Sequence, residues 1–138
     1  MAINHISLAT GPARAFYLRA LAPLGYATYY DGPGSGGGGG AVLGLKPVGG
    51  PPDFWLHAGD AEEGAGEGER PGRTHVAFEV GEPAVVDRWY EGAIKAGGIC
   101  NGKPGLRPQF SEPYYAAFVL DPLGNNIEAF HYATTRTW

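Results

Sequence analysis

Short runs rich in strand-forming residues cover positions 4–9, 26–30, 41–46, 53–58, 74–80, 114–120 and 126–132. Two other segments carry the helical period. The first opens at Gly11-Pro12 and runs to about Ala22 with Phe16, Tyr17 and Leu21 at helical spacing. The second opens at Gly81-Glu82-Pro83 and runs to about Ala96, where Gly97-Gly98 supplies a C-terminal stop. Positions 101–113 read as irregular, with Asn101 and Lys103 as loop residues. Between the last two strands, Asp121-Pro122-Leu123-Gly124-Asn125 spells a hairpin turn, because Pro presets one turn angle and Gly or Asn accepts a positive φ.

The order of these elements repeats. Each half begins with a strand bearing a histidine, then a glycine, then a helix, and the pairs His5/His75 and Gly11/Gly81 are both separated by 70 positions. The chain therefore reads as one α+β domain of two tandem βαβββ modules, about 1–60 and about 73–138, in which each sheet buries one face against its helix. Two tracts, 32–40 and 61–72, are dominated by glycine, the second mixed with acidic residues, and read as a loop and a flexible linker. The first has no following Lys-Ser or Lys-Thr pair and no strand-to-helix context, so it does not read as a phosphate loop.

Composition narrows the class. With 43% hydrophobic and 12% aromatic residues in 138, the chain can bury a core without staples. A single cysteine, Cys100, excludes an internal disulfide and a zinc-thiolate cluster, and its apolar neighbour Ile99 suggests structural burial rather than a nucleophile. The N-terminal stretch lacks a basic flank and a long apolar run, and no segment approaches a membrane span, so a cytoplasmic protein is expected. A net charge of −4 without a basic cluster argues against nucleic acid and leaves a small molecule as the expected partner.

The His5 strand, the aromatic-rich first helix ending in Leu24-Gly25-Tyr26, the His75 strand and the C-terminal Asp121-Pro122-Leu123-Gly124-Asn125-Asn126-Ile127-Glu128 resemble the vicinal oxygen chelate superfamily. This group takes in glyoxalase I, extradiol dioxygenases, methylmalonyl-CoA epimerase and the fosfomycin and bleomycin resistance proteins. The resemblance covers nearly all of the chain outside the two Gly-rich tracts. It implies that the modules curl into a cup-shaped, partly open mixed β-sheet barrel around a divalent metal held by first and last strands. It also implies a homodimer, with Tyr132 or Trp138 at the seam.

The residues reach a compatible place by their own chemistry. Two neutral imidazoles and one carboxylate form a facial triad that leaves positions open for substrate, and His5, His75 and Glu128 can supply it from rigid strands. Taken singly, a strand histidine more often serves structure, and a carboxylate near a strand end is more often solvated. The matched spacing and the shared partner favour the triad. A fourth position departs from the glyoxalase pattern: aligning Phe54-Trp55-Leu56 with Ile127-Glu128-Ala129 puts an indole, which cannot ligate, where that family carries a carboxylate. His57, two residues on and on the same strand face, is a possible extra ligand, whereas His131 is offset oddly from Glu128 and reads as surface. The resemblance further places Trp55, Arg107, Phe110, Tyr114, Tyr115 and Tyr29 or Tyr30 along the cup, a lining suited to a small polar or aromatic ligand with an anionic group.

Two functions follow. One is a metal-dependent lyase, isomerase or dioxygenase whose iron, zinc, nickel or manganese ion engages vicinal oxygens of a substrate. The other is a metal-free binding protein of the bleomycin-resistance type, which the indole of Trp55 favours and the retained His5, His75 and Glu128 oppose. A scaffold without ligand accounts least well for the polar groups aimed at one interior.

Overall fold

A computed structural model describes residues 3–9, 13–34, 41–57, 74–109 and 113–132. The linker 61–72, Phe110 and Trp138 lie outside them. One sheet holds β1 (Ile6–Ala9), β2 (Tyr26–Pro33), β3 (Ala41–Pro47) and β4 (Phe54–His57) in the order β1-β4-β3-β2. The other holds β5 (His75–Glu79), β6 (Ile99–Leu106), β7 (Tyr114–Leu120) and β8 (Asn126–Tyr132) in the matching order β5-β8-β7-β6. In each, the first and last strands of the module run parallel and the other pairs antiparallel, so both sheets are mixed. Neither closes into a barrel. The helices are α1 (Arg14–Ala20), followed by a 3-10 turn at Ala22–Leu24, and α2 (Pro83–Lys95).

The register carries the repeat down to single residues. Ser7 pairs with Trp55 in the first sheet and Ala77 with Glu128 in the second, so Trp55 occupies the place in its module that Glu128 occupies in the other.

Three local expectations change. The first helix ends two residues early and passes into the 3-10 turn that contains Pro23, a residue that cannot donate to a continued helix. Strand β2 extends through Gly32 and Pro33, which pair with Val42 and Ala41; as an edge strand it tolerates a proline. Residues 99–106, expected to be mostly irregular, form β6. This too is an edge strand, and shifts of register between Cys100 and Gly102 and between Gly102 and Gly105 absorb its glycines and Pro104. Cys100, expected to be buried, is exposed there.

One core joins the modules. Phe16, Tyr17 and Leu21 of the α1 region and Leu43, Leu45, Phe54 and Leu56 of the first sheet pack in one cluster with Val86, Trp89 and Ala93 of α2 and Val119, Ile127 and Ala129 of the second sheet. The stop after α2 serves this packing. Gly97 takes φ +102°, its N–H donates to the Ile94 carbonyl, and the Gly98 N–H donates to that of Ala93, closing the helix in a Schellman motif. A Cβ on Gly98 would lie 2.3 Å from the Val119 side chain and 2.9 Å from the Phe16 ring, so only glycine lets α1 and β7 meet there. Among the described residues no helix is long and apolar enough to cross a membrane.

The turn between β7 and β8 is tied into the same core. Gly124 accepts the positive φ, at +88°, and its N–H donates to the Asp121 carbonyl at 2.9 Å. The Asp121 carboxylate is 1% exposed and accepts from the Leu123 and Asn125 backbone, from Asn125 Nδ2 and, at 2.7 Å, from the hydroxyl of Tyr17 on α1. Burial, reinforced by this carboxylate, pushes the Tyr17 hydroxyl far above its ordinary value.

Replacing Tyr17 by Phe deprives a buried carboxylate of one donor and is expected to cost about 1–3 kcal/mol in chemical denaturation near neutral pH. The pH dependence has a definite sign. Unfolded tyrosine ionises near about pH 10 while folded Tyr17 stays protonated, so the wild type loses stability as pH rises above that value. The decline should be shallower in Tyr17→Phe.

Candidate functional site

Strand β8 turns Ile127 and Ala129 into the core, which sends Asn126, Glu128 and Phe130 to the other face of the second sheet. Glu128 is opposite Ala77 of β5 and Phe118 of β7. It is only 4% exposed, so its charge needs partners. The Tyr114 hydroxyl donates to Oε1, and His75 Nε2 stands 3.1 Å from Oε2.

The tautomer of His75 follows from its other nitrogen. Nδ1 lies 3.1 Å from the Asn126 carbonyl oxygen, which can only accept, so Nδ1 carries a proton. In the neutral ring Nε2 then presents a lone pair toward a carboxylate oxygen. Such a pair is held together by a proton or by a cation bound to both. At 3.1 Å the two atoms are close enough that a single cation could be held by both. An imidazole oriented by a carbonyl beside a carboxylate oriented by a hydroxyl fits the outer-shell pattern of a metal site.

Aromatic rings frame this pair. Phe118 stacks against His75 at 6.5 Å between centroids, and Tyr114 stacks on Phe130 at 5.1 Å with Tyr132 edge-on. The Arg107 guanidinium lies over the Phe118 ring, 5.7 Å from its centroid.

The first sheet offers a different surface. Trp55 and His57 share the face opposite the core residues Phe54 and Leu56. The indole lies across Gly44, where a Cβ would be 2.5 Å from it, and Tyr29, Tyr30 and His5 surround it at 6.3, 6.3 and 6.5 Å. His57 Nδ1 and the Ser7 hydroxyl are hydrogen-bonded at 2.8 Å.

The structure thus brings His75, Glu128 and Tyr114 together, with Arg107 nearby, and gathers Trp55, His57 and His5 on the first sheet. His5 stands one residue before β1, with its Nδ1 2.9 Å from Asn4 Oδ1. No group of three or more His, Cys, Asp or Glu side chains able to hold a metal forms among the described residues. Tyr115 does not share the face of Tyr114, since neighbours on a strand alternate; its hydroxyl donates to Asp87 on α2 at 2.8 Å. His131 is on that helix side as well and is half-buried, with Nδ1 2.9 Å from the Val80 carbonyl. Phe118 is the residue that sequence reasoning missed. Counting back from the Asp121–Asn125 turn, whose hairpin pairing was legible, would have set it opposite Glu128.

The fold is similar to that of solved glyoxalase/bleomycin resistance/dioxygenase proteins. A glyoxalase/bleomycin resistance/dioxygenase domain from Frankia sp. EAN1pec superposes with a TM-score of 0.68 at 20% identity, covering 95% of this chain and 97% of that one. A glyoxalase/bleomycin resistance protein from Albidiferax ferrireducens T118 gives 0.64 at 21%, over 93% and 96% of the two chains. Lactoylglutathione lyase from Agrobacterium tumefaciens gives 0.61 at 18%, over 94% and 92%. No protein-family model matches the sequence, and no curated protein does.

Adding a methyl at Gly44 should displace the indole of Trp55. Gly44→Ala is expected to lower stability by about 1–3 kcal/mol, as overpacking does, and to change the indole bands of the near-ultraviolet circular dichroism.

Proposed function

We propose that the protein is a metal-dependent enzyme of the glyoxalase and dioxygenase type acting on a small, oxygen-bearing substrate. The observation that carries this reading is the 3.1 Å approach of His75 Nε2, its tautomer set by the Asn126 carbonyl, to a carboxylate with almost no access to water. His75 and Glu128 hold the ion, and His5 is the third ligand. Iron, zinc, nickel or manganese at such a site polarises substrate oxygens, and iron adds oxygen chemistry. The chain's own work is positioning. Tyr114 fixes the Glu128 rotamer through Oε1, Asn126 fixes the imidazole, and Phe118 and Phe130 keep water from the carboxylate.

His5 belongs to the first sheet, whose outward face carries Ser7, Trp55, Tyr29 and Tyr30, and no three-ligand group forms within the described part of one chain. A homodimer in which the first sheet of one copy faces the second sheet of the other supplies it. One free cysteine and the acidic charge balance fit a cytoplasmic protein that handles small molecules. A second reading, metal-free sequestration of a flat ligand, draws support from Trp55 standing where the second module has Glu128.

Elemental analysis of untagged protein decides between them. The enzyme reading expects near-stoichiometric metal, lost in Glu128→Gln and His75→Gln, with affinity reduced about tenfold or more in Tyr114→Phe as for other outer-shell partners. Absence of metal, with no rise in melting temperature on reloading, selects sequestration. Refolding a mixture of His5→Ala and Glu128→Gln chains tests the dimer: a shared site returns about a quarter of wild-type occupancy, and ligation within one chain returns none.

A further inference from the structure

Strand β6 leaves out side chains where the second sheet's ligand face needs room. A Cβ on Gly105 would come within 3.1 Å of Arg107 Nη1, and one on Gly102 within 2.9 Å of Phe118 and 3.4 Å of Arg107 Nη2. The two glycines therefore make a trough in which the guanidinium lies beside the Phe118 ring. It is fastened there: Nη1 donates to the Leu106 carbonyl at 3.2 Å and Nη2 to that of Lys103, while the Arg107 N–H pairs with the Tyr114 carbonyl at 2.7 Å. The ring it covers is the one stacked on His75.

Guanidinium, Phe118 and the His75–Glu128 pair thus stand in a line across one sheet face, a single aromatic ring apart. Two of the five guanidinium N–H donors are spent on backbone carbonyls, and no carboxylate is within ion-pair distance of Arg107 among the described residues. A half-buried cation with its orientation already fixed loses little entropy on binding an anion.

We infer that Arg107 makes this face selective for substrates that carry a carboxylate, which it grips while the body of the molecule passes along the edge of Phe118 and the other end reaches His75 and Glu128. This rests on the metal-centred reading of the same face. It names a substrate class: an oxygen-chelating group and a carboxylate separated by a flat or apolar span.

The test compares benzohydroxamate, whose two oxygens chelate a metal, with its para-carboxylate derivative. By calorimetry on zinc-loaded protein the carboxylate is expected to improve affinity about tenfold or more, as a charge-assisted hydrogen bond to a preformed cation does. Arg107→Gln should abolish the difference, Arg107→Lys restore part of it and Lys103→Gln leave it intact. Gly105→Ala keeps the charge but pushes the guanidinium from its trough, and should reduce the preference without loss of fold by circular dichroism. A protein that takes up zinc and binds both probes equally, or keeps its preference in Arg107→Gln, overturns the assignment and leaves the metal reading standing. The converse is read without metal, from the rate at which phenylglyoxal modifies Arg107. Protection by millimolar carboxylated probe and not by the neutral one, in protein that binds no zinc, sustains the Arg107 assignment while the metal reading fails. Equal rates with both probes overturn it.

Discussion

The carboxylate of Asp121 lies almost wholly inside the protein, and four hydrogen-bond donors converge on it. An ionised group in that position is tolerable only when its lone pairs are filled, so the donors must hold their places for the fold to stand. Three come from the turn it closes and the fourth, Tyr17, from the helix of the other module. The consequences run directly to the face that carries His75 and Glu128. Asn125, fixed by two of these bonds, accepts the Thr74 N–H through Oδ1 at 3.0 Å, and the Asn126 N–H returns to the Thr74 carbonyl at 2.9 Å. These bonds dock the start of β5 beside β8, and His75 is the next residue. The imidazole therefore stands beside Glu128 on a strand whose start is docked by the saturated turn next to it.

The modules have kept one register while exchanging bulk between neighbouring strands. In the first sheet Gly44 faces Trp55; at the equivalent pair of the second, Phe118 faces Glu128. Cross-strand partners share space, so an indole requires the glycine beside it and a smaller carboxylate admits a phenyl ring. The two arrangements are chemically opposite. One gives an aromatic floor with a histidine and a serine at its margin, the other a carboxylate walled by rings. A duplicated architecture has thus been divided between a surface suited to stacking and a surface suited to charge.

Much of the fold could be read because its signals are local. Pro83 and Gly97 bracket α2, Gly124 takes the left-handed turn angle, and the spacing of His5 and His75 anticipates sheets of identical order. The burial of Glu128 was legible since its neighbours Ile127 and Ala129 are apolar and alternation fixes its face. Strand β6 was not, because glycine and proline normally break strands and only its edge position and bulges make them tolerable, which depends on the whole sheet. Assigning Tyr114 and Tyr115 to one wall ignored the same alternation that had located Glu128. The role of Asp121 was hidden for another reason: its partner Tyr17 is 104 residues away, and a turn aspartate looks the same in sequence whether or not a distant hydroxyl reaches it.

The placement of the two proposed ligands has a physical logic of its own. Glu128 lies on a strand flanked by partners on both sides, where the dielectric is low and each hydrogen bond to its charge is strong. His75 begins an edge strand, and half of its side chain is open to solvent. A buried carboxylate alone would be hard for a hydrated cation to approach, and an exposed imidazole alone would hold one weakly. Set 3.1 Å apart, the imidazole would offer a cation an entry from water, while the carboxylate, held by Tyr114, would supply the charge. Rigidity thus resides in the central strand and access at the edge of the second sheet.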